Sequence, residues 1–153
     1  MPLFYLHQID RLDLLQNLYS TITVPTAVQR ELGAGEAQGF RVPPCNDLSW
    51  MVITSAKAQF LPNITDLGDG EAEVIALGLE NPGSLLILDD ALGRRIARLY
   101  RLTYTGTLGV LVRAKQLGYL DRVEPVMQAL QNHGLWISAT VMENILQLAG
   151  ETS

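Results

Sequence analysis

The stretch DLGDGEAEVIALGLENPGSLLILDD, residues 66–90, decides the fold of this chain. It opens with a turn rich in glycine and aspartate, and the helix formers of residues 71–79 follow. The turn signal Asn81-Pro82-Gly83 ends that helix. Residues 85–88 are apolar at every position, which is typical of a parallel strand buried on both faces by helices. A capped helix followed by such a strand indicates an α/β fold.

The rest of the chain continues this alternation of strands and helices. Strands are predicted at residues 21–24, 50–54 and 103–105. Helices are predicted at residues 3–19 with a break near Asp10, and at 27–32, 93–100, 108–117, 122–132 and 139–148. Residues 33–49 are predicted to be a loop with a brief helical turn. Because strands that alternate with helices form right-handed parallel units, we predict one domain, residues 1–153, with a small doubly wound parallel sheet and helices on both faces.

Composition excludes several classes of function. The chain has 153 residues, of which 48% are hydrophobic and 18% charged, as expected for one compact domain. Its single cysteine, Cys45, and its two histidines, His7 and His133, exclude a cysteine-based or three-histidine zinc site. A net charge of -5 argues against the basic surface of a duplex-DNA-binding protein. No apolar stretch approaches the roughly 20 residues of a membrane helix, so we expect a cytoplasmic protein.

Acidic residues stand just beyond the carboxyl ends of the predicted strands, where open parallel sheets bind ligands. Glu31 lies one turn after the first strand, Glu71 at a helix start, and Asp89-Asp90 at the tip of the apolar strand. Carboxylates that converge repel one another until a cation such as Mg²⁺ or Mn²⁺ neutralises them. Each residue also has an ordinary role open to it, as a helix cap, a dipole partner or a solvated side chain. Glu73 is expected to face solvent.

Basic residues follow the acidic strand tip directly. Arg94, Arg95, Arg98 and Arg101 are predicted to lie in one helix, where Arg94, Arg98 and Arg101 share a face. Such a stripe either binds a phosphate backbone or forms a solvated helix face. Because Arg94 and Arg95 come immediately after the acidic pair, they are the candidates for contact with nucleic acid.

Several separated stretches of the chain together resemble the PIN-domain superfamily, and in particular a branch of bacterial proteins thought to bind nucleic acids. The matching stretches are LDLL at residues 12–15, VPTAVQREL at 24–32, LGDGEAEVIAL at 67–77, LILDD at 86–90, GRRIA at 93–97 and TGTLGVL at 105–111. The resemblance implies a metal-dependent ribonuclease fold that uses Mg²⁺ or Mn²⁺ and is commonly the toxin of a toxin–antitoxin pair.

The resemblance also implies roles for the acidic residues. Glu31 matches the second acidic ligand, Glu71 the third, and Asp90 the fourth, with Asp89 as its alternative. Glu71 is preferred over Glu73 because residues 76 and 78 then match small helix-packing positions of the family. Members of the family begin with a central strand that carries the first aspartate, before a stretch like residues 2–6. That strand and its ligand are expected to be missing here.

Three functions therefore stay open at this point. The first is an endoribonuclease that acts on RNA with Mg²⁺ or Mn²⁺ held by Glu31, Glu71 and Asp90, with Arg94 or Arg95 placing the phosphate. The second is a catalytically impaired relic that binds nucleic acid or protein. The third is an α/β protein for a small ligand that bears a phosphate. We also expect a homodimer through the C-terminal helices, and an antitoxin partner in the first case.

Overall fold

A computed structural model describes residues 1–151. Within these residues the helices are α1 Pro2–Gln8, α2 Asp13–Tyr19, α3 Thr26–Ala37, α4 Asp69–Glu80, α5 Ala91–Leu99, α6 Thr107–Gln116, α7 Val123–Asn132 and α8 Ala139–Leu148. The strands are β1 Ile22–Pro25, β2 Met51–Thr54, β3 Leu85–Ile87 and β4 Thr103–Thr105. Short 3-10 turns occupy Cys45–Asp47 and Ala58–Phe60. Parallel strands flanked by helices confirm the predicted α/β class.

The strands form two parallel pairs. In one pair β1 lies beside β2, with Ile22 opposite Met51. In the other pair β3 lies beside β4, with Leu85 opposite Thr103. Among residues 1–151 no strand joins the two pairs by hydrogen bonds, so the predicted sheet is divided between β1 and β3. A cavity of about 790 Å³ occupies this division.

The open edge of β3 corrects one expectation from the sequence. The apolar run at residues 85–88 predicted a strand buried on both faces. Leu86 and Leu88 are buried, but Leu85 is 42% exposed. It lines the cavity because β3 has β4 on one side and open space on the other.

Two helix boundaries also differ from the predictions. Helix α3 continues through Gly33 and Gly35 to Ala37, where a loop was expected. Glycine within a helix costs only about 1 kcal/mol, and the chain turns away at Gly39, whose φ is +93°. Helix α5 ends at Leu99, and Arg101, with a φ of +58°, lies beyond it. The predicted arginine stripe is therefore wrong.

A backbone hydrogen bond explains why α5 stops early. The Leu102 N–H donates to the Ala97 carbonyl at 2.9 Å, as in a Schellman closure of a helix. Leu102 then packs against the buried side chains between α4 and α5. The packing of this partly buried leucine accounts for the end of α5 before Arg101.

The core has two parts, one on each side of the cavity. The larger part gathers side chains of α1, α2, β1, α6 and α7, including Leu6, Leu14, Leu111, Met127 and Leu130. The smaller part lies between α4, β3 and α5. There α4 approaches β3 closely, since a Cβ added at Gly78 would lie 2.7 Å from Leu86 Cδ1. Gly78 thus acts as the small helix-packing residue that the sequence predicted.

The described helices are all too short or too polar to cross a membrane.

Candidate functional site

All four acidic residues singled out from the sequence line the cavity between β1 and β3. Glu31 reaches it from α3, which follows β1, and Glu71 from the first turn of α4. Asp89 and Asp90 reach it from the turn after β3. Side chains from three separate segments of the chain therefore meet at one end of one cavity.

Glu31 lies against the beginning of α4. Its Oε1 accepts a hydrogen bond of 3.0 Å from the Gly70 N–H, which is one of the free donors of a helix start. A Cβ on Gly70 would lie 2.7 Å from Glu31 Oε2, so only glycine leaves room for this approach. Burial of the carboxylate, with the nearby charges of Glu71 and Asp69, raises the pKa of Glu31, and the Gly70 N–H partly opposes this.

Glu71 and Asp90 approach each other across Gly93. A Cβ on Gly93 would lie 3.5 Å from Asp90 Oδ2 and 3.5 Å from Glu71 Cγ. On its other side Glu71 Oε2 contacts Gly68, where an added Cβ would lie 2.5 Å away. Because these glycines have no side chains, they leave room for the acidic side chains to lie close to one another.

The two aspartates also fix the helices that follow them. Asp90 Oδ2 accepts a hydrogen bond of 2.7 Å from the Gly93 N–H and caps α5. Asp89 accepts hydrogen bonds from the Thr107 N–H at 2.8 Å and the Thr107 Oγ1 at 2.5 Å, at the start of α6. An ionised carboxylate has about four lone-pair positions, so these bonds orient the aspartates and leave positions open for a cation.

The donor set suits a hard divalent cation, although the cluster is loose. Within residues 1–151 no three His, Cys, Asp or Glu side chains lie close enough together to form a ready-made metal cluster. All the available donors are carboxylate oxygens, which Mg²⁺ and Mn²⁺ prefer. Partial burial first, and then the charges of Glu71 and Asp69, raise the pKa of Glu31, and a cation would neutralise those charges. By this chemistry, the residues fit such an ion.

A family model described as a PIN domain matches residues 1–151. The chain belongs to the PIN-domain family. No curated protein and no solved structure matches it. Members of this family share a nuclease-like fold and generally use divalent metal ions. The acidic end of the cavity is the candidate site for such an ion in this PIN domain.

Glu73 of this PIN domain does not face solvent as predicted. It is buried, and its two oxygens accept the Ala27 N–H at 2.7 Å and the Ala56 N–H at 3.0 Å. The sequence carried one signal for this role. Helix α3 begins after Pro25 and has no side-chain cap of its own, so the N–H groups of its first turn need an acceptor from elsewhere.

The arginines of the PIN domain divide into two groups. Arg94 and Arg95 are exposed on α5, within two turns of Asp90, which caps that helix, and neither lines the cavity. Arg98 instead donates to the Tyr104 hydroxyl, with Nη2 at 3.1 Å. Arg94 and Arg95 therefore follow Asp90 closely in the chain, while Arg98 links α5 to β4.

Proposed function

We propose that this PIN domain is an endoribonuclease that cleaves RNA with Mg²⁺ or Mn²⁺ held by Glu31, Glu71 and Asp90. One observation carries the proposal: carboxylates from three segments of the chain, Glu31, Glu71 and the Asp89-Asp90 pair, line one cavity. In this proposal the chain acts on cellular RNA as the toxin of a toxin–antitoxin pair. Its partner would be an antitoxin protein.

Each residue has a distinct task in this proposal. Glu31 is held by Gly70 and Asp90 by Gly93, so both carboxylates are oriented before a cation arrives. A cation held by these carboxylates would supply Lewis acidity for the attack of water on the phosphodiester. Asp89, bonded to Thr107, would keep α6 in place and assist as a further ligand.

The arginines would act on the substrate. A guanidinium is always charged and forms paired hydrogen bonds with phosphate oxygens. Arg94 and Arg95 are exposed in the first two turns of α5, the helix that Asp90 caps, and in this proposal they would place an RNA phosphate close to the cation. In a chain with net charge -5, these two cations give the acidic end a local attraction for the RNA backbone.

The loose acidic cluster also supports a second candidate, a catalytically impaired relic that binds nucleic acid or protein. The carboxylates line the cavity, but within residues 1–151 no three of them lie close enough together to form a metal-binding group. A relic would keep the fold and the arginines but lack tight metal binding.

Calorimetric titration with Mn²⁺, paired with cleavage of a labelled single-stranded RNA, separates the two candidates. Glu31→Gln, Glu71→Gln and Asp90→Asn remove charge while keeping size, and Asn still caps α5. Glu36→Gln is the matched control, because Glu36 is exposed on α3 and does not line the cavity.

We expect each site variant to weaken Mn²⁺ binding by about tenfold or more and to abolish cleavage, while the control keeps both. Absence of both carboxylate-dependent Mn²⁺ binding and cleavage in the unaltered chain would favour the relic. Cleavage that survives all three substitutions would refute the assigned site.

A further inference from the structure

Positive charge is concentrated in one segment of this acidic chain. Residues 91–120 contain six of the eleven Lys and Arg residues and none of the sixteen Asp and Glu residues. Four of the six are exposed on α5 or directly after it, and we call them the arginine surface: Arg94, Arg95, Arg98 and Arg101. Because a helix turns about 100° per residue, the three that lie on α5 fall within an arc of about 100°. Helix α5 therefore presents one basic face to solvent.

Acidic side chains do not neutralise the arginine surface. Among residues 1–151 none of its guanidinium groups forms an ion pair with a carboxylate. By contrast, Arg11, Arg41 and Arg122 each pair with an aspartate or a glutamate. Like charges that lie on one face repel one another, and an anionic ligand relieves that repulsion. The arginine surface is therefore suited to a polyanion.

Arg101 occupies a backbone position that usually belongs to glycine. Its N–H donates to the Arg98 carbonyl at 3.0 Å, and the Leu102 N–H donates to the Ala97 carbonyl at 2.9 Å. These two hydrogen bonds form a complete Schellman closure, in which Arg101 is the left-handed residue, with a φ of +58°. A left-handed backbone is unfavourable for a residue that has a Cβ.

Five other helices, α1, α3, α6, α7 and α8, close with the same pair of hydrogen bonds. Four of these closures have glycine at the left-handed position: Gly39, Gly118, Gly134 and Gly150. The fifth has Asp10, a residue type that tolerates this conformation, and Asp10 pairs with Arg41. A cation near the end of a helix is favourable, but by less than the left-handed backbone costs. Arg101 therefore lowers the stability of the fold, as residues held for binding commonly do.

The side chains on either side of Arg101 suit a single strand of RNA. Arg98 donates from Nε and Nη2 to the Tyr104 hydroxyl at 3.3 and 3.1 Å, which orients its guanidinium and leaves the Nη1 group free for a phosphate. Tyr100, which is 48% exposed, directly precedes Arg101 and offers a ring on which an unpaired base can stack. Cations beside an exposed aromatic ring are typical of surfaces that bind single strands.

We propose that the arginine surface binds the phosphate backbone of single-stranded RNA, with Arg101 as an anchor and a base stacked on Tyr100. The surface begins near the Asp90 carbonyl, which accepts the Arg94 N–H at 2.9 Å, and it ends where the chain enters β4. Along α5 this path measures about 13 Å, so bound RNA extends away from the turn that carries Asp90. The inference rests on the proposed ribonuclease for the identity of the ligand and adds a binding surface for its substrate.

Two variants of Arg101 test its role through stability and binding together. Arg101→Gly relieves the backbone cost and removes the charge, so it should raise the Tm by about 2–4 °C and weaken RNA binding about fivefold at low salt. Arg101→Lys keeps both the charge and the left-handed backbone, so it should leave the Tm unchanged and retain most of the binding. Fluorescence anisotropy with a short labelled oligouridine, in the presence of a chelator, measures binding without cleavage.

The salt dependence of binding identifies contacts with phosphates. For Arg101→Gly, the slope of log K against log salt concentration should become shallower by about 0.7, as expected for one lost contact with a single strand. Arg41→Gln is the matched control, because it removes the same charge from an arginine that pairs with Asp10 after α3. It should leave the slope unchanged. Equal changes in the two variants would show an effect of net charge alone and overturn the proposal.

The single-stranded character of the ligand has its own test. Tyr100→Leu keeps apolar surface but removes the ring, and it should weaken oligouridine binding about fivefold or more. Unchanged binding would overturn the assignment of a stacked single strand. A polyglutamate peptide that competes as strongly as unlabelled oligouridine would assign the arginine surface to an acidic protein segment, which also overturns the proposal.

Failure of this inference is distinguishable from failure of the proposed ribonuclease. If the unaltered chain binds RNA through Arg101 but never cleaves it, the ribonuclease is refuted and the arginine surface stands. If the chain cleaves RNA with Mn²⁺ and Arg101→Gly binds and cleaves equally well, the arginine surface is refuted and the ribonuclease stands. A lower Tm in Arg101→Gly would show that Arg101 stabilises the fold, and this result would also overturn the inference.

Discussion

Two glutamates, Glu71 and Glu73, stand two positions apart on α4 and have opposite surroundings. Glu71 lines the cavity, whereas Glu73 is buried and holds two backbone N–H groups, one at the start of α3 and one in the segment after β2. Successive residues of a helix point about 100° apart, so a difference of two positions places the two side chains in different surroundings.

Removal of the Glu73 carboxylate should destabilise the fold. Glu73→Ala leaves the Ala27 and Ala56 N–H groups without their acceptor in a buried place, which should lower the free energy of unfolding by about 3 kcal/mol. Urea denaturation measures the loss. Glu36→Ala, an exposed helical glutamate, should change the free energy by no more than about 0.5 kcal/mol. A similar loss in both variants would contradict the anchoring role.

Glu31 should make stability depend on pH. Since the folded state raises its pKa, ionisation of Glu31 opposes folding, and its unfavourable contribution is fully present only above the raised pKa. Glu31→Gln should therefore increase the Tm at neutral pH. The increase should shrink as the pH falls towards the usual value of 4.5, where the carboxyl becomes protonated in both states.

Thermal melts across this range measure the effect, and added Mn²⁺ supplies a second readout. An ion that binds the folded state raises the Tm of the unaltered chain, and should raise that of Glu31→Gln much less. If Glu31→Gln were less stable than the unaltered chain at neutral pH, the unfavourable contribution assigned to the ionised Glu31 carboxylate would be wrong.

At the scale of elements, the packing of α4 against β3 positions the acidic end of the cavity. Helix α4 carries Glu71 and leads into β3, which ends at Asp89-Asp90. Gly78 sets their separation, because its missing Cβ is the space that Leu86 fills. Residues in this contact therefore control how closely Glu71 and Asp90 approach.

Alanine substitutions at two helical glycines should have opposite signs. Gly78→Ala brings a Cβ within 2.7 Å of Leu86 Cδ1 and should cost about 1–3 kcal/mol of unfolding free energy. Gly33→Ala, in α3 with nothing within 4 Å of the added Cβ, should stabilise by about 0.5–1 kcal/mol.

Chemical denaturation of both variants checks this pair. Leu86→Val combined with Gly78→Ala should recover part of the loss, because the smaller side chain makes room for the added methyl group. Loss of stability at Gly33 as large as that at Gly78 would mean that helical preference, and not the contact with Leu86, governs the outcome.

At the scale of the molecule, α8 and the residues before it carry exposed apolar side chains. Trp136 is 83% and Leu148 67% exposed, and α8 has no fully buried residue. Exposed apolar surface of this kind marks an interaction site, and copies of one chain most commonly pair by two-fold symmetry. This arrangement supports a homodimer that covers α8 and the residues before it.

Sedimentation velocity at micromolar concentration tests the dimer. We expect a dimer for the unaltered chain and a monomer for Leu148→Glu, because the dimer would bury the new charge without a partner. Leu99→Glu on α5 is the matched control, since Leu99 is 73% exposed but distant in the chain from α8. It should remain dimeric. A monomeric unaltered chain would refute the expected homodimer.

Local patterns in the sequence determined the α/β class, the order of strands and helices, and the presence of acidic residues after the strands. These features depend on periodicity and capping over short stretches, which the sequence contains directly. The break near Asp10 is an example, because α1 and α2 separate there at a residue with a φ of +58°. Motifs along the chain sufficed to indicate the PIN family, which the match over residues 1–151 confirms.

Only the tertiary structure decided which surfaces meet. The burial of Glu73, the end of α5 before Arg101 and the exposure of Leu85 depend on contacts between segments far apart in the chain. The same holds for the division between β1 and β3, since an apolar strand has the same pattern whether one or both of its edges are paired. Strand pairing and burial are properties of the assembled layers, and a local pattern cannot specify them.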